Sequence, residues 1–228
     1  MGKQAATKVR AGAEGTGAAG KVLSAAPTLR LVSSPKRQRI LEGMLEVVGS
    51  NGYDAASVRM VLDSTGLYRQ AFYDEFADKD ACYLEALKFG AARLEAIAVE
   101  AAAGEQEWRA QLRAGINAVL GTLEEDPASG RALIVEVHAA GAEALAIRSE
   151  AMKRLTAFID SARAVASGEA PPPIAAEGIV AGMHAVVHAK LAAGDDSGYR
   201  DLLPDFMYFA TLPYFGPDVA GAEMKAAR

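Results

Sequence analysis

The sequence is short of the residues that much protein chemistry requires. One cysteine, Cys82, among 228 residues rules out an internal disulfide and reads as a small buried thiol in a reducing compartment. Three histidines, His138, His184 and His188, leave few groups for metal or acid–base work. No Ser/His/Asp or Cys/His grouping, glycine-rich phosphate loop or paired-carboxylate motif is present, so no catalytic residue is assigned and the chain is not expected to be an enzyme. No uncharged apolar run reaches the ~18 residues of a membrane span, and the first 30 residues lack the apolar stretch of a secretory signal. The expectation is a cytoplasmic protein with no membrane partner. Strand-like alternation is missing as well.

What remains is rich in alanine, poor in β-branched runs, and helical in pattern. Residues 1–34 are Ala/Gly-rich and aperiodic and read as a disordered basic arm. Charge is unevenly distributed. Residues 1–39 carry eight Lys/Arg against Glu14 alone, a net +7, and the remainder carries −12. A basic arm on an acidic body suits an anionic partner for the arm only. Ser34-Pro35 reads as a helix start, Asn51-Gly52 as its end, Ser57 and Asp78 as further N-caps, and Gly66 as a stop. This delimits a compact unit over 35–80, a larger helical body over 81–216 and a frayed tail over 217–228. The last two long helices of the body are placed at 174–191 and 199–214.

The stretch DSTGLYRQAFYDEFADKD, from Asp63 to Asp80, raises the functional question. Two short helices joined by a tight glycine turn, the second led by polar side chains, make a helix-turn-helix. Gly66 would take the sharp turn, Leu67 would plug the core, and Tyr68, Arg69 and Gln70 would stand at the end that enters a major groove. Arginine pairs with guanine and glutamine with adenine through two hydrogen bonds each.

Residues 36–82 resemble the DNA-binding domain of the TetR family of bacterial transcriptional regulators. The resemblance lies in Arg37-Gln38-Arg39-Ile40-Leu41, Gly52 with Ser57, Thr65-Gly66-Leu67-Tyr68, Phe72-Tyr73-Asp74-Glu75-Phe76, and Lys79, at matching spacing without insertion. It implies that Ser57 caps the second helix and touches phosphate, with Val58 and Arg59 beside it. Tyr73 and Lys79 would meet the DNA backbone, Arg69, Gln70 and Ala71 would face base edges with Tyr68 alongside, and Phe72 and Phe76 would be core. Tyr68 stands where the family commonly has serine as the cap, and tyrosine caps poorly. Residues 52–80 are themselves acidic, with three basic side chains and six acids. Non-specific affinity would therefore come from the arm and the first helix, through Arg30, Lys36, Arg37 and Arg39.

For the body the resemblance implies a ligand pocket and a dimer interface, and a partner set of double-stranded operator DNA, an unknown small-molecule effector and a second copy of the chain. No fixed cofactor is implied. Trp108, His138, Met152, Phe158, Met183 and His184 are the candidate pocket residues. Ile179, Val186, Val187, Phe206, Met207 and Ala210 are the candidate interface, though the same stripes suit an ordinary intrachain core. His184 and His188, four apart on a helix, have a spacing that can hold a metal, but no Glu follows His184 as in H-E-x-x-H, and no metal ligand is assigned. The fold expected is all-α, a three-helix DNA-binding domain joined to a larger helical ligand-binding and dimerisation domain. The alternative is a helical small-molecule or metal-binding protein that has lost DNA binding.

Overall fold

The computed structural model describes residues 34–166 and 168–228; the basic arm assigned to residues 1–34, apart from Ser34, lies outside the described residues. Every regular element among them is a helix. Helix α1 (Pro35–Asn51) begins where the Ser34 side chain accepts a hydrogen bond from the Arg37 N–H at 3.1 Å and proline occupies the first helical position. It ends at Gly52, whose φ of 82° is costly for residues with a Cβ. Helix α2 (Val58–Thr65) is capped by Ser57 and stopped by Gly66 in the left-handed conformation. Helix α3 (Arg69–Tyr73) is a single turn. Helix α4 (Lys79–Ala102) starts at Asp78, whose carboxylate accepts from the Ala81 N–H at 2.8 Å.

The body comprises α5 (Trp108–Glu125), α6 (Pro127–Ile134), α7 (Gly141–Asp160), α8 (Ala175–Ala192) and α9 (Leu203–Ala226), with 3₁₀ turns at Glu136–His138, Ser161–Ala164 and Arg200–Leu202. There are two cores. One is built on α1, α2, α3 and the first half of α4, around Ile40, Met44, Phe72 and Tyr83. The other lies among α5, α7, α8 and α9, around Leu112, Ile159, Leu191 and Met207. The boundary drawn at residue 80 therefore cuts through the first core. Cys82, Tyr83, Ala86, Leu87 and Phe89 on α4 belong to it, as do Ala132 and Val137 of the α6 region.

Helix α6 crosses α1 almost in backbone contact. A Cβ on Gly49 would lie 1.7 Å from the Ala128 carbonyl oxygen, so only glycine permits the approach. Arg131 Nε donates to the Gly49 carbonyl at 3.0 Å, and the Tyr83 hydroxyl donates to the Ala132 carbonyl at 2.6 Å. Just past α6, the Glu136 carboxylate accepts from the Tyr53 N–H at 2.8 Å. These bonds fasten the small domain to the body.

The tail expected to fray is helical. At Gly216 (φ 80°, ψ 173°) the chain turns sharply, and Pro217 restarts the helix, which then runs to Ala226. Ala220 and Glu223 are buried. The Glu223 carboxylate accepts from Arg109 at 2.9 Å and from Arg113, which pins the last turns onto α5. Local chemistry at Gly216-Pro217 does not distinguish a stop from a redirection.

Candidate DNA-binding face and effector cavity

The recognition turn is formed by packing, with little help from capping. Phe72 is fully buried and Phe76 nearly so, their rings 5.7 Å apart, which holds α3 against α1 and α4. Tyr68 makes no side-chain cap bond and is 86% exposed, so its ring projects from the amino end of α3. Arg69 is exposed, with its guanidinium 5.3 Å from the Tyr73 ring centre. The Gln70 amide donates to Asp74 at 2.8 Å. Ala71 is half-buried, and Tyr73 is exposed beside Arg69. Ser57 accepts from the Met60 N–H at 3.4 Å. The Val58 side chain packs partly into the amino-terminal core, and Arg59 is solvated with Asp63 at 3.7 Å. Tyr68, Arg69, Gln70 and Tyr73 thus stand together on exposed surface.

Two nominated residues have internal work. Arg37 was grouped with the DNA-contacting cations, but its guanidinium lies 4.4 Å from the Phe76 ring centre and 3.4 Å from both the Glu75 and Glu85 carboxylates. It also donates to the Glu75 carbonyl at 3.2 Å. Two carboxylates already neutralise it, so it is a clamp tying α1 to the α3–α4 corner. Lys79 donates to the Tyr53 carbonyl at 2.9 Å and sits over that ring at 4.1 Å, so it braces the loop between α1 and α2. Tyr53, which the sequence did not single out, is the hub of this loop. Its hydroxyl donates to Asp80 at 2.7 Å, and burial, followed by that bond and the carboxylate charge, pushes its pKa up to about 12.

A cavity of about 520 Å3, partly open to solvent, lies between α4, α5, α6, α7 and α8. Its wall on α4 runs from Leu87 to Ala102, a span of about 22 Å at the helical rise. Most of the lining is aliphatic. Its polar members are Glu95, Gln111, Arg148, Arg154 and His184. Glu95 and Arg154 pair across the wall at 2.8 Å. Gln111 donates to the Glu105 carbonyl at 2.9 Å, while its own carbonyl oxygen is buried without a partner. Both Arg148 and His184 are half-buried, with guanidinium and imidazole nitrogens 3.3 to 3.4 Å apart. Burial, then the Arg148 charge, and then the other two histidines lower the His184 pKa to about 4, so its ring is neutral at ordinary pH.

Of the six nominated pocket residues, Met152, Phe158, Met183 and His184 line this cavity. Trp108 does not; its ring stacks behind Phe158 at 5.9 Å, and its indole N–H donates to the Ser161 hydroxyl at 3.1 Å. His138 does not either; it is exposed, with its ring edge-on to His188 at 5.6 Å. Among the described residues no group of three His, Cys, Asp or Glu is arranged to hold a metal. The cavity's charged members, Glu95, Arg148 and Arg154, were missed. On the sequence they look like ordinary solvated helix charges, and their partners lie 36 to 59 residues away.

The nominated interface residues are also redistributed. Ile179, Val187, Phe206, Met207 and Ala210 are buried in the chain's own core, and of the six only Val186 is exposed. The outward apolar surface of α8 and α9 is instead a shallow groove formed by Gly182, Met183, Val186, Tyr208 and Phe209.

The structure thus joins a helix-turn-helix unit with an exposed polar recognition turn to a helical body that holds a cavity. Residues 40–86 match the family model described as bacterial regulatory proteins, tetR family. The sequence is 34% identical over 67 residues to the HTH-type transcriptional repressor AcnR of Corynebacterium diphtheriae, covering 29% of this chain and 35% of that one. Against AcnR of Corynebacterium glutamicum it is 36% identical over 64 residues, covering 28% and 34%. The chain thus spans about a third of the length of the relatives it matches. The fold extends further. The fatty acid degradation regulator FadR from Bacillus halodurans superposes with a TM-score of 0.69 at 14% identity, over 80% of this chain and 96% of that one. The transcriptional regulator FadR from Bacillus subtilis, solved in complex with stearoyl-CoA, superposes with a TM-score of 0.66 at 16% identity, over 78% and 98%. No described helix is long and apolar enough to cross a membrane.

Proposed function

We propose that the protein is a ligand-responsive transcriptional repressor that binds a near-palindromic DNA operator as a homodimer in the cytoplasm. The observation that carries this reading is the exposed cluster of Tyr68, Arg69, Gln70 and Tyr73 on a rigidly packed recognition turn. Arg69 and Gln70 read base edges in the major groove, Tyr73 and Ser57 meet phosphate, and Tyr68 adds a stacking or methyl contact at the groove wall. Two copies joined through the Val186–Phe209 surface would set two recognition helices about 34–36 Å apart, one turn of the duplex. The partial likeness to the AcnR repressors, 34% identity over 67 residues, supports repression.

The effector occupies the elongated cavity, a site whose apolar shape is compatible with the stearoyl-CoA held by the Bacillus subtilis neighbour. Helix α6 transmits occupancy. One side of the α6 region, Leu133, Ile134 and Val137, borders the cavity, and the other is bonded to α1 and the Tyr53 loop through Arg131 and Glu136. A ligand pressing on the first side tilts the second and favours a spacing of recognition helices that no longer fits the operator.

The test is selection of bound fragments from random duplex DNA, followed by salt titration of the best. A two-fold motif should emerge, and Arg69→Ala should weaken it by about 1–3 kcal/mol and relax preference at one position per half-site. A folded dimer that selects no sequence, or an Arg69→Ala protein with unchanged affinity and preference, overturns the reading.

A further inference from the structure

The wall of the cavity holds two cations in different circumstances. Arg154 is matched by Glu95 at 2.8 Å. Arg148, also half-buried, has no carboxylate within ion-pair distance among the described residues, and its near neighbour is the neutral ring of His184. A guanidinium cannot shed its proton, and holding its charge partly out of water costs free energy that an imidazole repays weakly. The site is therefore electrostatically completed by an anion. Arg148 lies one residue after Ile147, which packs on the amino-terminal core, whereas Phe158, a few turns along α7, packs on Trp108 at the opposite end. The lone cation thus stands at the end nearer the DNA-binding domain, and beyond it the lining is mostly apolar over roughly 20 Å, interrupted by the mutually paired Glu95 and Arg154 and by Gln111.

We propose that the cavity binds a single-chain aliphatic amphiphile with an anionic head, the head paired with Arg148 beside His184 and the chain laid along α4 toward Gln111. The inference rests on the reading of this cavity as the effector site. It adds charge, polarity and direction to that reading. Cationic and neutral amphiphiles of equal length are disfavoured, since they leave Arg148 unmatched. The anion can be the carboxylate of a free fatty acid or the phosphates of an acyl-coenzyme A; the contact with Arg148 is common to both.

Calorimetry on the full chain tests this with laurate, lauroyl-CoA, dodecanol and dodecyltrimethylammonium as probes. One or both anionic probes should bind roughly ten- to hundredfold more tightly than the neutral and cationic ones, the range of a charge-assisted hydrogen bond. Laurate alone identifies the carboxylate as the head, and lauroyl-CoA alone identifies the phosphates. Arg148→Met should remove most of that preference, and Arg148→Lys should restore part of it. Probe selectivity is measured on the unaltered protein, so the proposal stays falsifiable if Arg148→Met fails to fold. Binding of the cation or the alcohol as tightly as laurate and lauroyl-CoA overturns it, as does an Arg148→Met protein that keeps its preference. If no anionic probe binds while an operator is still selected, this inference falls and the regulator reading stands. If an anionic probe binds through Arg148 and no DNA sequence is selected, the reverse holds.

Discussion

The two halves of the chain encode their structures differently. In the small domain almost every boundary is set by one residue acting on its neighbours: Ser34, Ser57 and Asp78 cap, and Gly52 and Gly66 turn. In the body, α7, α8 and α9 have no side-chain cap bond at all, and their placement depends on contacts between distant segments. A domain specified locally is read from its sequence with its functional face attached. One specified by packing is read as a set of helices whose inward and outward sides are interchangeable until they meet.

Substitutions can break this contrast, and the largest effect is expected at the junction between the halves. Gly49→Val should cost about 3 kcal/mol in urea unfolding, since any Cβ meets the Ala128 carbonyl and α1 must leave α6. A melt unchanged from the original would mean that the two helices do not cross closely. Next is removal of residues 217–228, which should destabilise the body by exposing the surface under Ala220 and stranding Arg109 and Arg113; Glu223→Ala alone should cost about 1–3 kcal/mol. A fraying tail would give no change in either melt.

Arg37→Met should then lower stability by about 1 kcal/mol while leaving the selected DNA sequence the same, because its charge is spent on Glu75 and Glu85. Arg69→Ala should do the opposite, altering sequence preference at constant stability. If the two exchange behaviours, the division of the arginines into clamp and reader is wrong.

The smallest effect concerns His184. Its folded pKa, about 4, lies below the unfolded value of 6.5, so the unfolded chain takes up a proton that the folded chain refuses. Its contribution to stability is therefore complete above the unfolded pKa and declines as pH falls from about 6.5 toward about 4. Nuclear magnetic resonance titration should place the ring's midpoint near 4, and Arg148→Met should raise it. An ordinary midpoint would show that the ring is neither buried nor held against the guanidinium.

The sequence by itself determined the all-helical class, the helix-turn-helix and its exposed Tyr68-Arg69-Gln70 edge, and the burial of Phe72 and Phe76. Caps, turns and apolar spacing act within a few residues, where the order of the chain is also its order in space. Tertiary structure decided that Arg37, expected to add non-specific DNA affinity, ties α1 to Glu75 and Glu85, that Trp108 stands behind the cavity wall, and that Ile179 and Met207 fill this chain's own core. It also paired Arg154 with Glu95, set Arg148 against His184, and brought Glu223 back onto α5. The physical reason is that helical periodicity reveals that a face is covered, whereas what covers it depends on segments far away in the chain.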